Sequence, residues 1–102
     1  MAKHQPKVLF FILVIMDRQH HYIKILPEYF KAIASGEKTF EVRFNDRNYH
    51  VHDILHLREW QNDKYTGNEI AVEVTYLIDN PDYCKEGFVI MAIKEANIHC
   101  HS

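Results

Sequence analysis

A chain of 102 residues with 47% apolar and 25% charged side chains has the size and mix of one globular domain, which excludes a two-domain protein and wholesale disorder. The formal net charge of −2 speaks against a protein that grips long runs of nucleic-acid backbone, although a small pocket or a few unpaired bases stay within reach. Cys84 and Cys100 lack CxxC spacing, so the expectation is no disulfide framework and a reduced, cytoplasmic setting.

The first element in chain order is an apolar run, Val8 to Met16 (VLFFILVIM), preceded by Lys3 and Lys7. A membrane-spanning helix needs ~20 such residues, so no membrane association is expected. The length suits the core of a secretory signal. However, Asp17 and Arg18 follow directly and no small-x-small cleavage site appears. Residues 1–19 therefore read as an apolar extension, a buried strand or an arm through which two copies could pair. The domain proper is expected at 20–96, and the tail 97–102 reads as frayed.

His21 to Ile25 reads as a strand with Ile23 and Ile25 on one face and Lys24 on the other. Leu26-Pro27-Glu28 opens a helix of about residues 27–35. Proline suits its first position, Glu28 complements the dipole, and Gly36 stops it. Leu26, Tyr29, Phe30 and Ile33 form one apolar stripe along it. Thr39 to Phe44 is the next strand, with Phe40, Val42 and Phe44 on one face and Thr39, Glu41 and Arg43 on the other. Asn45 to Asn48 is a turn cluster, Ile54 to Trp60 a third strand, and Gln61 to Asn68 a hairpin connection. Ile70, Val72, Val74, Tyr76 and Ile78 alternate with Glu69, Ala71, Glu73, Thr75 and Leu77, the cleanest strand pattern in the chain. Phe88 to Ile93 is apolar on both faces, as in a central strand covered on both sides. This order predicts an α+β fold: a small β-barrel of about five to six mostly antiparallel strands plugged by one principal helix.

Residues 21–94 carry a specific ordered pattern. His21-Tyr22-Ile23-Lys24-Ile25-Leu26-Pro27-Glu28-Tyr29-Phe30 is followed by Ser35-Gly36-Glu37-Lys38-Thr39-Phe40-Glu41-Val42-Arg43. Asn45-Asp46-Arg47, Asp53-Ile54-Leu55, Glu59-Trp60, Tyr65-Thr66-Gly67 and Tyr83-Cys84-Lys85-Glu86-Gly87 come after it. This resembles the small bacterial and phage proteins of the DUF3850 family, which are similar to the ASCH superfamily with its PUA-like β-barrel. The Gly-x-Lys-x-x-Glu-x-Arg motif is met by Gly36, Lys38, Glu41 and Arg43. His52 departs from the pattern by standing where it carries glycine.

The resemblance implies an RNA or nucleotide-like ligand held between the helix and the barrel. Lys38 and Arg43 would bind a phosphate, carboxylate or base edge, with Glu41 orienting them or accepting from a base amino group. A solvated Glu41–Arg43 ion pair would fit the same spacing. His21 and Lys24 match the resemblance too, but they have opposite parity on their strand. Arg47 is the member of the Asn45-Asp46-Arg47 turn that turn geometry does not demand. Trp60, Tyr65 and Tyr83 offer rings for stacking bases, or for packing.

Some ASCH proteins similar in the lysine motif remove the acetyl group from acetylated cytidine, using a lysine, a threonine and a distant glutamate. A metal-independent amidohydrolase acting on acylated nucleosides is thus the alternative, with Lys38 and Glu41 as its catalytic pair. Glu41 stands where that motif has threonine. A protein-interaction role is a third reading. No cofactor is implied. Eight histidines include His20-His21, His50-x-His52 and His99-x-His101 beside Cys100, but none has the spacing of a structural zinc site, so no metal is expected.

Overall fold

A computed structural model describes residues 18–96, so the expectations for the apolar run Val8 to Met16 and for the tail 97–102 lie outside the described residues. The order of elements is β1 (His20–Ile25), α1 (Pro27–Ala34), β2 (Phe40–Phe44), β3 (Ile54–Gln61), β4 (Lys64–Ile78) and β5 (Phe88–Glu95). The five strands form one sheet in the order β1-β3-β4-β5-β2. Only the β1–β3 pairing is parallel, with Ile23 opposite Leu57. The other three pairings are antiparallel. The sheet curls into a half-barrel that encloses Ile23, Ile25, Leu55, Leu57, Val72, Val74, Val89, Met91 and Ile93. The helix adds Ile33 to this core, with Phe30 packed against it.

Parity explains most of the core, and local irregularities explain the exceptions. His21, Ile23 and Ile25 alternate inward on β1, and Val89, Met91 and Ile93 do so on β5. On β4 the inward row stops at Val74. The register slips between Val74 and Tyr76, leaving Thr75 as an extra residue whose hydroxyl donates to the Ala92 carbonyl. A bulge of this kind reverses the faces beyond it. Tyr76, expected to share a face with Val74, is therefore 65% exposed, and Leu77 packs on the core instead.

The hairpin is tighter than its composition predicts. Asn62 and Asp63 adopt φ of 53° and 61°, the two positive values of a two-residue type I′ turn, so pairing resumes at Lys64 opposite Gln61. Further along, Thr66, Gly67 and Asn68 bow out opposite Glu59, with Gly67 at φ 98°. The Thr66 hydroxyl and Asn68 amide both donate to Glu59 Oε1, at 2.8 and 3.0 Å. That satisfies a carboxylate which the inward parity of β3 would otherwise bury alone.

Two further expectations need correction. The stripe on α1 splits, because Ile33 faces the core while Leu26 and Tyr29 are exposed. The strand β5 is central but not covered on both sides: Phe88, Ile90 and Ala92 on its outer face remain half-buried.

His52 lies in a turn closed by the Asp53 N–H donating to the His50 carbonyl, and its φ is 80°. A type II turn places glycine at that third position. His52 thus occupies a backbone conformation costing a side-chain-bearing residue roughly 1 kcal/mol or more. Its imidazole reaches Glu73 at 3.1 Å, an exposed contact of small worth. His52→Gly is therefore expected to raise the unfolding free energy by about 0.5–1 kcal/mol, read as a higher urea midpoint at unchanged slope. A lower midpoint would show that the histidine contact outweighs the strain.

Candidate functional site

The end of β1, the start of α1 and the free edge of β2 enclose a cleft of about 480 Å³. Each wall has a local cause. Pro27 starts the helix one residue after Leu26, whose carbonyl accepts the N–H groups of Tyr29 and Phe30. This holds Leu26 and Tyr29 at the cleft mouth. At the other helix end Gly36 takes φ 84°, which reverses the chain, and the Lys38 N–H donates back to Ala32. Lys38 is thereby tied to the helix just before β2 pairs with β5.

Glu41 is the floor of the cleft and is 3% exposed. Its strand has apolar residues on the outer face and charged ones within: Phe40, Val42 and Phe44 are exposed, while Glu41 and Arg43 point inward. The solvated Glu41–Arg43 pair that spacing permits is thus corrected to a buried one. Lys38 Nζ donates to Glu41 Oε1 at 2.5 Å and to the Phe40 carbonyl at 2.6 Å. Arg43 Nε donates to Glu41 Oε2 at 2.8 Å, and its Nη2 donates to the Lys24 carbonyl at 2.9 Å. A buried carboxylate alone would be costly, and here each oxygen receives a charge-assisted bond.

The cleft retains hydrogen-bonding capacity. Lys38 has used two of its three donors and Arg43 two of its five. Each Glu41 oxygen keeps a lone pair. The rings of Tyr29 and Phe40 flank Lys38, with Nζ 5.7 and 4.8 Å from their centroids. Cations, an acceptor and aromatic surface therefore meet in one hollow.

Of the residues expected at a ligand site, Lys24, Lys38, Glu41 and Arg43 come together here. Lys24 also places its ammonium 3.8 Å from the Trp60 ring centre on the outer face of the sheet. Arg47 lies further along the same seam, donating to the Tyr22 carbonyl at 3.2 Å. His21 is not at the cleft. Its parity turns it into the core, where Nε2 donates to Asp53 at 2.8 Å and the ring meets Tyr49 edge-on. Trp60 packs edge-on to Tyr65, and Tyr83 sits 77% exposed in the loop between β4 and β5; neither lines the cleft. Leu26, Tyr29, Phe40 and Val42 line it without having been singled out as ligand contacts. The apolar stripe and the apolar face of β2 were visible, but nothing in them marked which rows would stay uncovered.

Among the described residues no group of three or more His, Cys, Asp or Glu side chains converges as a metal site. His99, Cys100 and His101 lie outside the described residues. No described helix is long and apolar enough to cross a membrane.

A family model described as "Domain of unknown function (DUF3850)" matches residues 20–93, which include every charged residue of the cleft. The chain belongs to the DUF3850 family. It is also 33% identical over 66 residues to a protein of Escherichia phage P2 named "Uncharacterized 12.9 kDa protein in GpA 3'region". That match covers 65% of this chain and 61% of the phage protein, under two thirds of its length.

Two titratable groups of this DUF3850 domain are shifted. Burial raises the Tyr49 hydroxyl above its ordinary range, keeping it protonated inside the barrel. His20 is lowered, first by burial and then by His56, with which it shares a 2.8 Å bond. His56 Nδ1 donates to Glu69, leaving Nε2 to accept from His20 Nδ1.

Two outcomes follow from these groups. Glu41→Ala should lower the unfolding free energy by about 2–4 kcal/mol, because it strands two partly buried cations; urea unfolding reads this, and a change under about 0.5 kcal/mol, the scale of an ordinary surface substitution, would show a solvated pair instead. For His20 the folded state resists protonation, so below pH 6.5 the unfolded chain binds more protons and stability falls as pH drops. His20→Gln should flatten that acid-side slope, whatever constant offset the lost contact with His56 adds at all pH values; an unchanged slope contradicts the lowered pKa.

Proposed function

We propose that this DUF3850 domain is an ASCH-superfamily, PUA-like binding module that holds a nucleotide unit of RNA in the cleft between α1 and β2. The observation that carries this reading is the convergence of Lys38 and Arg43 on the buried carboxylate of Glu41, in a cleft that Lys24 also lines, beside the rings of Tyr29 and Phe40. A volume of about 480 Å³ lies within the range of small-ligand sites. An aromatic ring offers a stacking partner to a base, worth ~1–3 kcal/mol. The base edge carries donors and acceptors side by side, and so does the Lys38–Glu41–Arg43 array. The remaining donors of Lys38 and Arg43 suit a base carbonyl or a phosphate. Local cations supply the attraction although the whole chain carries −2.

The alternative, hydrolysis of an acylated nucleoside, needs Lys38 to take up a proton. Lys38 instead points its N–H groups at Glu41 and the Phe40 carbonyl, so its nitrogen is engaged as a donor and not turned towards a substrate proton. That geometry favours holding a ligand over transforming it.

Calorimetric titration of nucleoside monophosphates and short RNAs tests the reading. Lys38→Ala and Arg43→Ala should each weaken the best ligand about tenfold or more, the loss of roughly one charge-assisted bond, and binding should weaken as salt rises. Their melting curves must stay cooperative. Undiminished affinity in both variants, or steady turnover of acetylated cytidine, would overturn the assignment.

A further inference from the structure

Arg43 does not mark the end of the cleft. On its other side, along the same seam between β1 and β2, lies a second hollow of about 410 Å³. Lys24 and Arg43 line both hollows. The second has its own rings, Tyr22, Phe44 and Tyr65, all exposed, and its own cation, Arg47. The two spaces thus repeat one composition, aromatic surface with a cation, on either side of a shared pair of positive charges.

We propose that the two hollows are successive subsites for a single strand of nucleic acid, one nucleotide unit in each, with the linking phosphodiester crossing Lys24 and Arg43. This rests on the nucleotide reading of the first cleft. The donors for a phosphate are present: three N–H groups of Arg43 are uncommitted, and Lys24, whose ammonium rests over the Trp60 ring, has no carboxylate partner among the described residues and keeps its three N–H donors. Arg47 gives one bond to the Tyr22 carbonyl and has Asp46 only at 3.9 Å, both partners being exposed. The seam is narrow enough for single guanidinium groups to span it, which suits one strand and not a duplex. Four cations line the joined groove against the two carboxylates Glu41 and Asp46, a local positive excess on an acidic chain. Rings along a cationic groove are how unpaired strands are held without dependence on sequence.

Calorimetry on the full chain tests this with the four ribonucleoside monophosphates, their homodinucleotides, the matching deoxydinucleotides and hexaglutamate. The best dinucleotide should bind at least ~10-fold more tightly than its mononucleotide, with a salt slope steeper by about 0.7 for the added phosphate. Arg47→Ala and Tyr65→Leu should abolish that gain and leave mononucleotide affinity as it was. The ribose and deoxyribose arms tell whether the 2′-hydroxyl contributes. Equal affinity for one and two units, or a gain that survives both substitutions, overturns the second subsite while the first cleft stands. Absence of any nucleotide binding removes both. Tighter binding of hexaglutamate than of any dinucleotide shows an acidic peptide groove instead.

Discussion

A single buried carboxylate organises the site. Glu41 enters the interior because β2 turns its charged row inward, and it is tolerable there only with Lys38 and Arg43 against its two oxygens. Each partner is positioned by a separate part of the fold. Lys38 is fixed by the reversal at Gly36 and its bond to Ala32, and Arg43 by its reach across to the Lys24 carbonyl. The carboxylate therefore couples the helix end, the first strand and the second strand through charge rather than apolar contact. The same arrangement that stabilises it leaves spare donors facing the cleft.

The curl of the sheet supplies the rest. β1 and β2 are the two ends of the strand order, and no backbone ladder joins them. Arg43 and Arg47 span the interval to the carbonyls of Lys24 and Tyr22. A closed barrel would have filled this line with backbone hydrogen bonds and left no groove. Because the barrel is incomplete, side chains from both edges line a common hollow, and Lys24, Lys38, Arg43 and Arg47 lie along it although the whole chain is acidic.

Element types were legible in the sequence because the periods are strong: strict alternation in β1 and β4, proline and glycine punctuating α1, and the apolar run of β5. The motif residues Lys38, Glu41 and Arg43 were legible as a set, since Gly36 brings a helix end and a strand start together. What alternation does not encode is which of two rows faces inward. On β2 the apolar row Phe40, Val42 and Phe44 lies outside because the ion pair, with its partners in α1 and β1, needs the interior. The bulge at Thr75 and the bow at Thr66 to Asn68 also leave no periodic trace, as each depends on a partner strand. His21 was ambiguous for a related reason: its match to a motif and its place on a strand left a ligand contact and a partly buried histidine both open, and neither named Asp53, more than thirty positions away, which holds it in the core.

The side-chain bridges across the seam have a consequence for how the protein meets copies of itself. Edge strands are templates on which another chain can add, through the free carbonyls and amides they present. Here the carbonyls of Tyr22 and Lys24 on one edge are already occupied by guanidinium groups borne on or beside the other. The β2 side thus caps two carbonyls of the β1 edge, and a strand arriving there would have to displace charged donors to pair. At β1 the half-barrel gains in this way some of the protection that a paired edge would have, while keeping its groove open.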